Sequence, residues 1–160
     1  MLDIKIRPYI SSDYNYICDI HDAARKVELS RSSLDTAFLP FSLASKRENF
    51  FEYPHIDVAT VNNIIVAFSA YTNDELAWLY VSPNMMHKGI GRALVARALD
   101  IEPGIKHIEV LYENEPARKL YESMGFYVKK TEEGVMPGNE TYHVKVYIMC
   151  RAPKELNAFP

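Results

Sequence analysis

Two runs of residues have the types and spacing that chemistry could use. The first is Val81-Ser82-Pro83-Asn84-Met85-Met86-His87-Lys88-Gly89-Ile90-Gly91-Arg92, which reads as a strand end, a loop and a helix start. At such a junction several backbone N–H groups lack an intrahelical partner. Together with the helix dipole they form a site for a phosphate or pyrophosphate. Gly89 and Gly91 let the backbone approach an anion without a Cβ in the way, and Lys88 and Arg92 flank the loop with positive charge. Taken alone, Gly89-Ile90-Gly91 also fits an ordinary turn. It lacks the Gly-Lys-Ser/Thr ending of a nucleotide loop, and Leu94 stands where a dinucleotide fingerprint has its third glycine.

The second run is Asn114-Glu115-Pro116-Ala117-Arg118-Lys119-Leu120-Tyr121-Glu122-Ser123-Met124-Gly125-Phe126. Pro116 suits a first helical turn, Ala117, Leu120, Tyr121 and Met124 share one helix face, and Gly125 stops the helix before a strand. A surface helix with a buried tyrosine accounts for this run by itself, but not for its pairing with the glycine loop. The Val81-x-Pro83 strand exit, Lys88-Gly89-Ile90-Gly91 and the Asn114-x-x-Ala117-Arg118-x-Leu120-Tyr121-x-x-x-Gly125-Phe126 run together resemble the GNAT N-acetyltransferase superfamily. The order of elements matches that family over residues 1–150. One departure is Met86, where the family usually carries Arg or Gln, which removes one polar side chain near the pyrophosphate.

The resemblance implies acetyl-coenzyme A as co-substrate, with no metal. It implies a pyrophosphate on the N–H groups of His87, Lys88, Gly89, Ile90, Gly91 and Arg92, near Met86. The pantetheine arm would pair like an added strand with Leu79, Tyr80 and Val81, and would contact Asn114 and Ala117. For the chemistry, the Val81 N–H would stabilise the oxyanion and Tyr121 would protonate the departing thiolate. Glu75, four residues before Leu79, has the spacing of the base glutamate in the histone acetyltransferase branch; a surface carboxylate in a turn is the alternative. Tyr80, His21, His55 and His143 are reserve bases.

In this family the acceptor is chosen by the first two helices and the loop before the last strand, here residues 25–53 and 132–142. Phe38, Phe41, Phe50, Phe51 and Tyr53, with Arg25, Arg31, Arg47, Glu48 and Glu52, suit a primary amine of a small molecule, amino acid or peptide, although the aromatics also read as core packing. Two other functions stay open: a toxin-type aminoacyl-tRNA acetyltransferase and a non-catalytic acyl-coenzyme A sensor. A net charge of −3, from 18 Lys and Arg against 21 Asp and Glu, argues against a nucleic-acid partner.

The elements that must position these residues follow from periodicity. Leu2, Ile4 and Ile6 alternate with Asp3, Lys5 and Arg7 until Pro8, and Tyr142 to Cys150 alternate likewise, so both ends predict strands. Helices are expected from Ser12 or Asp13, carrying Tyr14, Ile17, Cys18 and His21 on one side, and over 41–51. Strands are expected at 57–61 and 64–71, joined by a tight Asn62-Asn63 turn, and at 75–81. Then follow a helix from Gly89 with Ile90, Leu94, Ala98 and Ile101 on one face, a strand at 107–112, a helix at 115–124 and a strand at 126–131. Gly134, Pro137 and Gly138 read as a loop before the last strand. The fold class is α/β (α+β). The resemblance implies a mixed, mostly antiparallel sheet flanked by helices and splayed between its fourth and fifth strands.

With 160 residues, 48% of them apolar, the chain can bury one core; residues 1–152 read as a single domain and 153–160 as a peripheral tail. Cys18 and Cys150 read as small buried hydrophobes, not a disulfide framework. With no signal peptide and no membrane-length apolar run, the expected location is cytoplasmic. Exposed strand residues such as Tyr147 offer a surface for a homodimer.

Overall fold

The alternating N-terminus forms β1 (Ile4–Pro8) in a computed structural model that describes residues 2–152; the expected tail lies outside the described residues. Pro8 is the last residue of the strand, as expected, and still pairs with Asp57. β1 is an edge strand, where a missing N–H is tolerated. Arg7 then reaches back to Asp13 through two bonds of 2.8 and 2.9 Å, while the same carboxylate accepts the Ile10 N–H at 2.9 Å. This knot sets the entry to α1 (Tyr14–Arg31), and α2 (Phe41–Arg47) follows.

β2 (His55–Val61) and β3 (Ile64–Tyr71) form the expected hairpin, with φ of +52° at Asn62 and +62° at Asn63, as a primed turn requires. β4 (Leu76–Val81) completes an antiparallel sheet in the order β1-β2-β3-β4. α3 (Ile90–Ile101), β5 (His107–Leu111), α4 (Glu115–Ser123), β6 (Tyr127–Met136) and β7 (Asn139–Cys150) follow, and β7 inserts between β5 and β6 to build a second antiparallel sheet.

Phe41, Phe50, Phe68 and Trp78 pack α1 and α2 onto one face of the first sheet. Ile90 and Leu94 of α3 cover its other face, and Val95 and Ala98 continue into the core of the second sheet with Tyr121 and Phe126. Phe41 and Phe50 are thus core residues, whereas Phe51 is exposed. On α3 the inward residue beside Ala98 is Val95, fully buried, while Ile101 is 36% exposed.

Three further expectations need correction. β6 runs on through Gly134 to Met136, and Pro137-Gly138 (φ +75°) is the hairpin turn. Residues 127–135 are mostly exposed, so this edge strand has no buried face to imprint an alternation. Cys18 and Cys150 are free but only half-buried. Tyr147 is not an open surface residue: its hydroxyl donates to Glu115 Oε1 at 2.8 Å and Arg118 lies over its ring.

The two sheets meet at one point. Glu75 and His107 form an isolated parallel bridge, and the Lys106 and His107 N–H groups donate to the Asp74 carbonyl at 2.9 and 3.2 Å. Beyond that bridge β4 and β5 diverge, which is the expected splay. The Ser82 N–H donates to Val66 O at 2.8 Å, towards β3. Strand alternation therefore turns the N–H and C=O groups of Leu79 and Val81 away from β3 and into the gap.

Candidate active site

A cavity of about 360 Å3 fills the splay. Leu79, Tyr80 and Val81 of β4 line it, with Met86, His87, Gly89, Gly91 and Arg92 of the glycine loop and helix start, Asn114 just before α4, and Ala117 and Tyr121 of α4. Two of the expected residues reach it only through the backbone or not at all. The Ile90 side chain is buried in the core, and Lys88 is exposed outside the lining. Glu75 does not line this cavity.

The loop geometry suits an anion. His87 (φ +61°) and Gly89 (φ +86°) are both left-handed, and turns of this kind gather N–H groups into a concavity. The first hydrogen bond of α3 runs from the Ala93 N–H to Gly89 O at 3.0 Å, so the N–H groups of Ile90, Gly91 and Arg92 have no partner within the helix. A Cβ at Gly89 would meet nothing within 4 Å, so protein packing does not demand glycine there; the backbone conformation does. Arg92 is held by Ser123 Oγ at 2.8 Å, which ties α3 to α4.

Asn114 caps α4 without a side-chain cap bond, and its Oδ1 is buried with no hydrogen-bond partner. A buried, unmet acceptor in the cavity wall is costly unless a ligand supplies the donor. Tyr121 is 7% exposed, its hydroxyl makes no hydrogen bond among the described residues, and the hydroxyl is not among the fully buried orphaned atoms. It therefore opens into the cavity. Burial, with the nearby Glu28 carboxylate, raises its pKa, so it stands protonated as a donor.

A second cavity, of about 260 Å3, lies on the other side of Tyr80. Glu28, Tyr80 and Glu109 line both cavities, so the two meet there. α1 supplies His21, Arg25 and Glu28, the end of α2 leads to Glu48, and the β6–β7 turn supplies Met136, Pro137 and Asn139. The turn is fastened by Arg47 to Gly138 O at 2.9 Å, Asn139 to Ala37 O at 3.0 Å and Tyr142 to Thr36 O at 2.7 Å. The two segments expected to meet an acceptor thus enclose one space.

Glu75 lines this second cavity, and burial raises its pKa from the ordinary value while His107 opposes the rise. The Tyr80 hydroxyl donates to Glu28 Oε1 at 3.1 Å; burial, then the Glu28 charge, raises its pKa, so it stays protonated and is not available as a base. His21 is 2% exposed, pairs with Asp22 at 2.9 Å and is kept neutral by burial. His55 stacks on Tyr71 and bonds Glu102, and His143 is exposed; neither lines either cavity. Sequence reasoning missed Glu28 and Glu109, and it placed Arg31 with the acceptor, whereas Arg31 lines the first cavity. For Glu28 the signal was present, because His21, Ala24, Arg25 and Glu28 form one stripe at helical spacing.

Among the described residues no group of three or more His, Cys, Asp or Glu is arranged to hold a metal, and no helix is long and apolar enough to cross a membrane. None of the curated proteins matches this sequence. Solved structures share the fold. A GCN5-related N-acetyltransferase from Rhodopseudomonas palustris is 17% identical over 95% of this chain and 98% of its own, with a TM-score of 0.74. The ribosomal-protein-S18-alanine N-acetyltransferase from Escherichia coli is 21% identical over 99% and 100%, with a TM-score of 0.65. A Salmonella typhimurium protein solved with its cofactor acetyl-CoA is 18% identical over 97% and 96%, with a TM-score of 0.66. A family model for the GNAT acetyltransferase domain matches residues 47–128, which hold both the glycine loop and the α4 motif, and the chain belongs to that family.

Proposed function

We propose that this protein moves the acetyl group of acetyl-CoA to a primary amine of a small molecule, amino acid or peptide by direct attack. Acetyl-CoA-dependent acyl transfer is the general activity of its family. The observation that carries the finer reading is the meeting of two cavities at Tyr80, Glu28 and Glu109, one suited to the coenzyme and one to an acceptor. Coenzyme fit rests on the unmet Asn114 Oδ1, the outward N–H and C=O groups of Leu79 and Val81, and the free N–H groups at the start of α3.

The coenzyme supplies a thioester whose carbonyl accepts the amine. An amine arrives protonated and must lose a proton before it can attack. Glu75, with its raised pKa, is the base we assign; it lines the second cavity, and Glu28 lines both. The nitrogen–carbon bond forms while the Val81 N–H takes charge from the carbonyl oxygen. The nitrogen gives its second proton to the solvent, the carbon–sulfur bond breaks, and Tyr121 gives the sulfur its proton and regains one from the solvent. The net products are an amide, free thiol and one proton. Four carboxylates lining the acceptor cavity weigh against an RNA acceptor.

The test is thiol release from acetyl-CoA across a panel of amines, amino acids and peptides, with calorimetry of coenzyme binding in parallel. Turnover with at least one amine is expected. Coenzyme binding without turnover on any amine would leave a sensor, and no binding at all would remove the whole reading.

A further inference from the structure

We infer that the acceptor is a small aliphatic amine that carries a second protonated nitrogen and no carboxylate. This rests on the amine-acetylation reading above and narrows it. The acceptor cavity is lined by four carboxylates, Glu28, Glu48, Glu75 and Glu109, against one permanent cation, Arg25. Arg25 is already engaged: it is paired with Glu28 and its other nitrogen lies 3.5 Å from Met136 Sδ. Exposed Glu109 lies 3.6 Å from His107 Nε2 at the rim. Glu48 and Glu75 make no side-chain hydrogen bond or ion pair among the described residues.

These two arrive from different elements, one at the end of α2 and one just before β4, with Tyr53 close enough for its hydroxyl to feel both charges. Two separated, uncommitted carboxylates match two nitrogens. One takes the proton of the attacking amine, and the other holds the ammonium that stays charged. Trp78, Tyr53 and Tyr80 also line the cavity, and aromatic rings attract a cation. Glu48 is the counter-ion for the distant ammonium, because the β6–β7 turn closes on it: a Cβ at Gly138 would lie 3.1 Å from Glu48 Cγ. An amino acid would instead bring its own carboxylate into this lining, with Arg25 already occupied. Repulsion rejects it.

The test compares diaminobutane, butylamine and ornithine as acceptors for the full chain, followed by thiol release. The three share a carbon chain; butylamine lacks the second cation and ornithine adds a carboxylate. We expect kcat/KM for diaminobutane to exceed both by at least about tenfold, and high salt to shrink the advantage. Glu48→Gln lowers the diaminobutane-to-butylamine ratio by about tenfold, and Glu48→Asp restores part of it. Equal or better turnover of butylamine or ornithine overturns the inference and leaves amine acetylation standing. A Glu48→Gln enzyme with an unchanged ratio overturns the role of Glu48. No thiol release with any amine, despite coenzyme binding, overturns the functional reading and this inference together. If Glu48→Gln does not fold, the wild-type salt dependence decides: an advantage that salt leaves intact refutes the second-cation contact.

Discussion

Replacing Glu48 by Gln separates a carboxylate kept for binding from one kept for stability. Burial pushes the Glu48 carboxyl up from 4.5 to about 7, and the like charge of Glu140 adds to this while Arg25 opposes it. A pKa raised on folding means that the folded state holds the proton more tightly than the unfolded chain does. The contribution to stability is fully present below 4.5, is lost as pH rises through about 7, and stays lost above it. At about 1.4 kcal/mol per pH unit, a rise of about 2.5 corresponds to about 3 kcal/mol. The cavity is open to water, which screens the charge, so we expect about 1–3 kcal/mol. Gln has the same shape and no charge, so Glu48→Gln should match the wild type near pH 5 and exceed it above pH 8. At roughly 2–4 °C per kcal/mol for a chain of this size, the gain in Tm is about 2–12 °C. The assay is thermal unfolding of both proteins, without ligand, from pH 5 to 9. A difference in Tm that is flat with pH, or a variant less stable than wild type at pH 8.5, would refute the reasoning, because Glu48 would then be stabilised by partners in the folded chain.

Four further outcomes follow from the same geometry. Tyr121→Phe should lower kcat about tenfold or more with little change in coenzyme affinity, measured by thiol release and calorimetry; an unchanged chemical step would take Tyr121 out of the mechanism. Asn114→Ala should weaken coenzyme binding by about tenfold yet leave Tm nearly unchanged, since its Oδ1 has no partner within the protein. Gly89→Ala, at φ +86°, should lower stability by about 1–2 kcal/mol through backbone strain alone, with no side-chain clash, as read by denaturant unfolding. For Asp13, the hydrogen bonds from Arg7 hold the carboxyl below its usual range, so its contribution is present at neutral pH and lost as pH falls through that lowered value. Asp13→Asn should cost about 1–3 kcal/mol at pH 7 and progressively less in acid.

The parts of the site that were legible in the sequence are local ones. The glycine loop presents backbone N–H groups whose freedom follows from a helix starting at Gly89, and the left-handed φ of Gly89 and Asn62-Asn63 are properties of residue type. Tyr121 lies on a short helix whose apolar face, proline start and glycine stop are all within a run of 13 residues, Asn114 to Phe126. Where a local signal was absent, reading failed. β6 is exposed along most of its length, and its continuation past Thr131 is decided by pairing with β7, not by its own pattern.

The acceptor side belongs to the tertiary structure. Arg25, Glu48, Glu75 and Glu109 are ordinary surface-type residues in the chain, far apart in number, and only folding places them around one cavity with Met136 and Asn139 of the β6–β7 turn. Their chemistry depends on distance and desolvation through space, and a one-dimensional pattern carries neither. Residue types and spacing alone thus determined the order of strands and helices and a loop of free backbone N–H groups at the start of α3, because dihedral preferences and nearby hydrogen bonds act over a few residues. The charge, the neutral histidine and the uncommitted carboxylates of the acceptor cavity were decided by long-range packing, because burial and the Coulomb field exist only once the chain is folded.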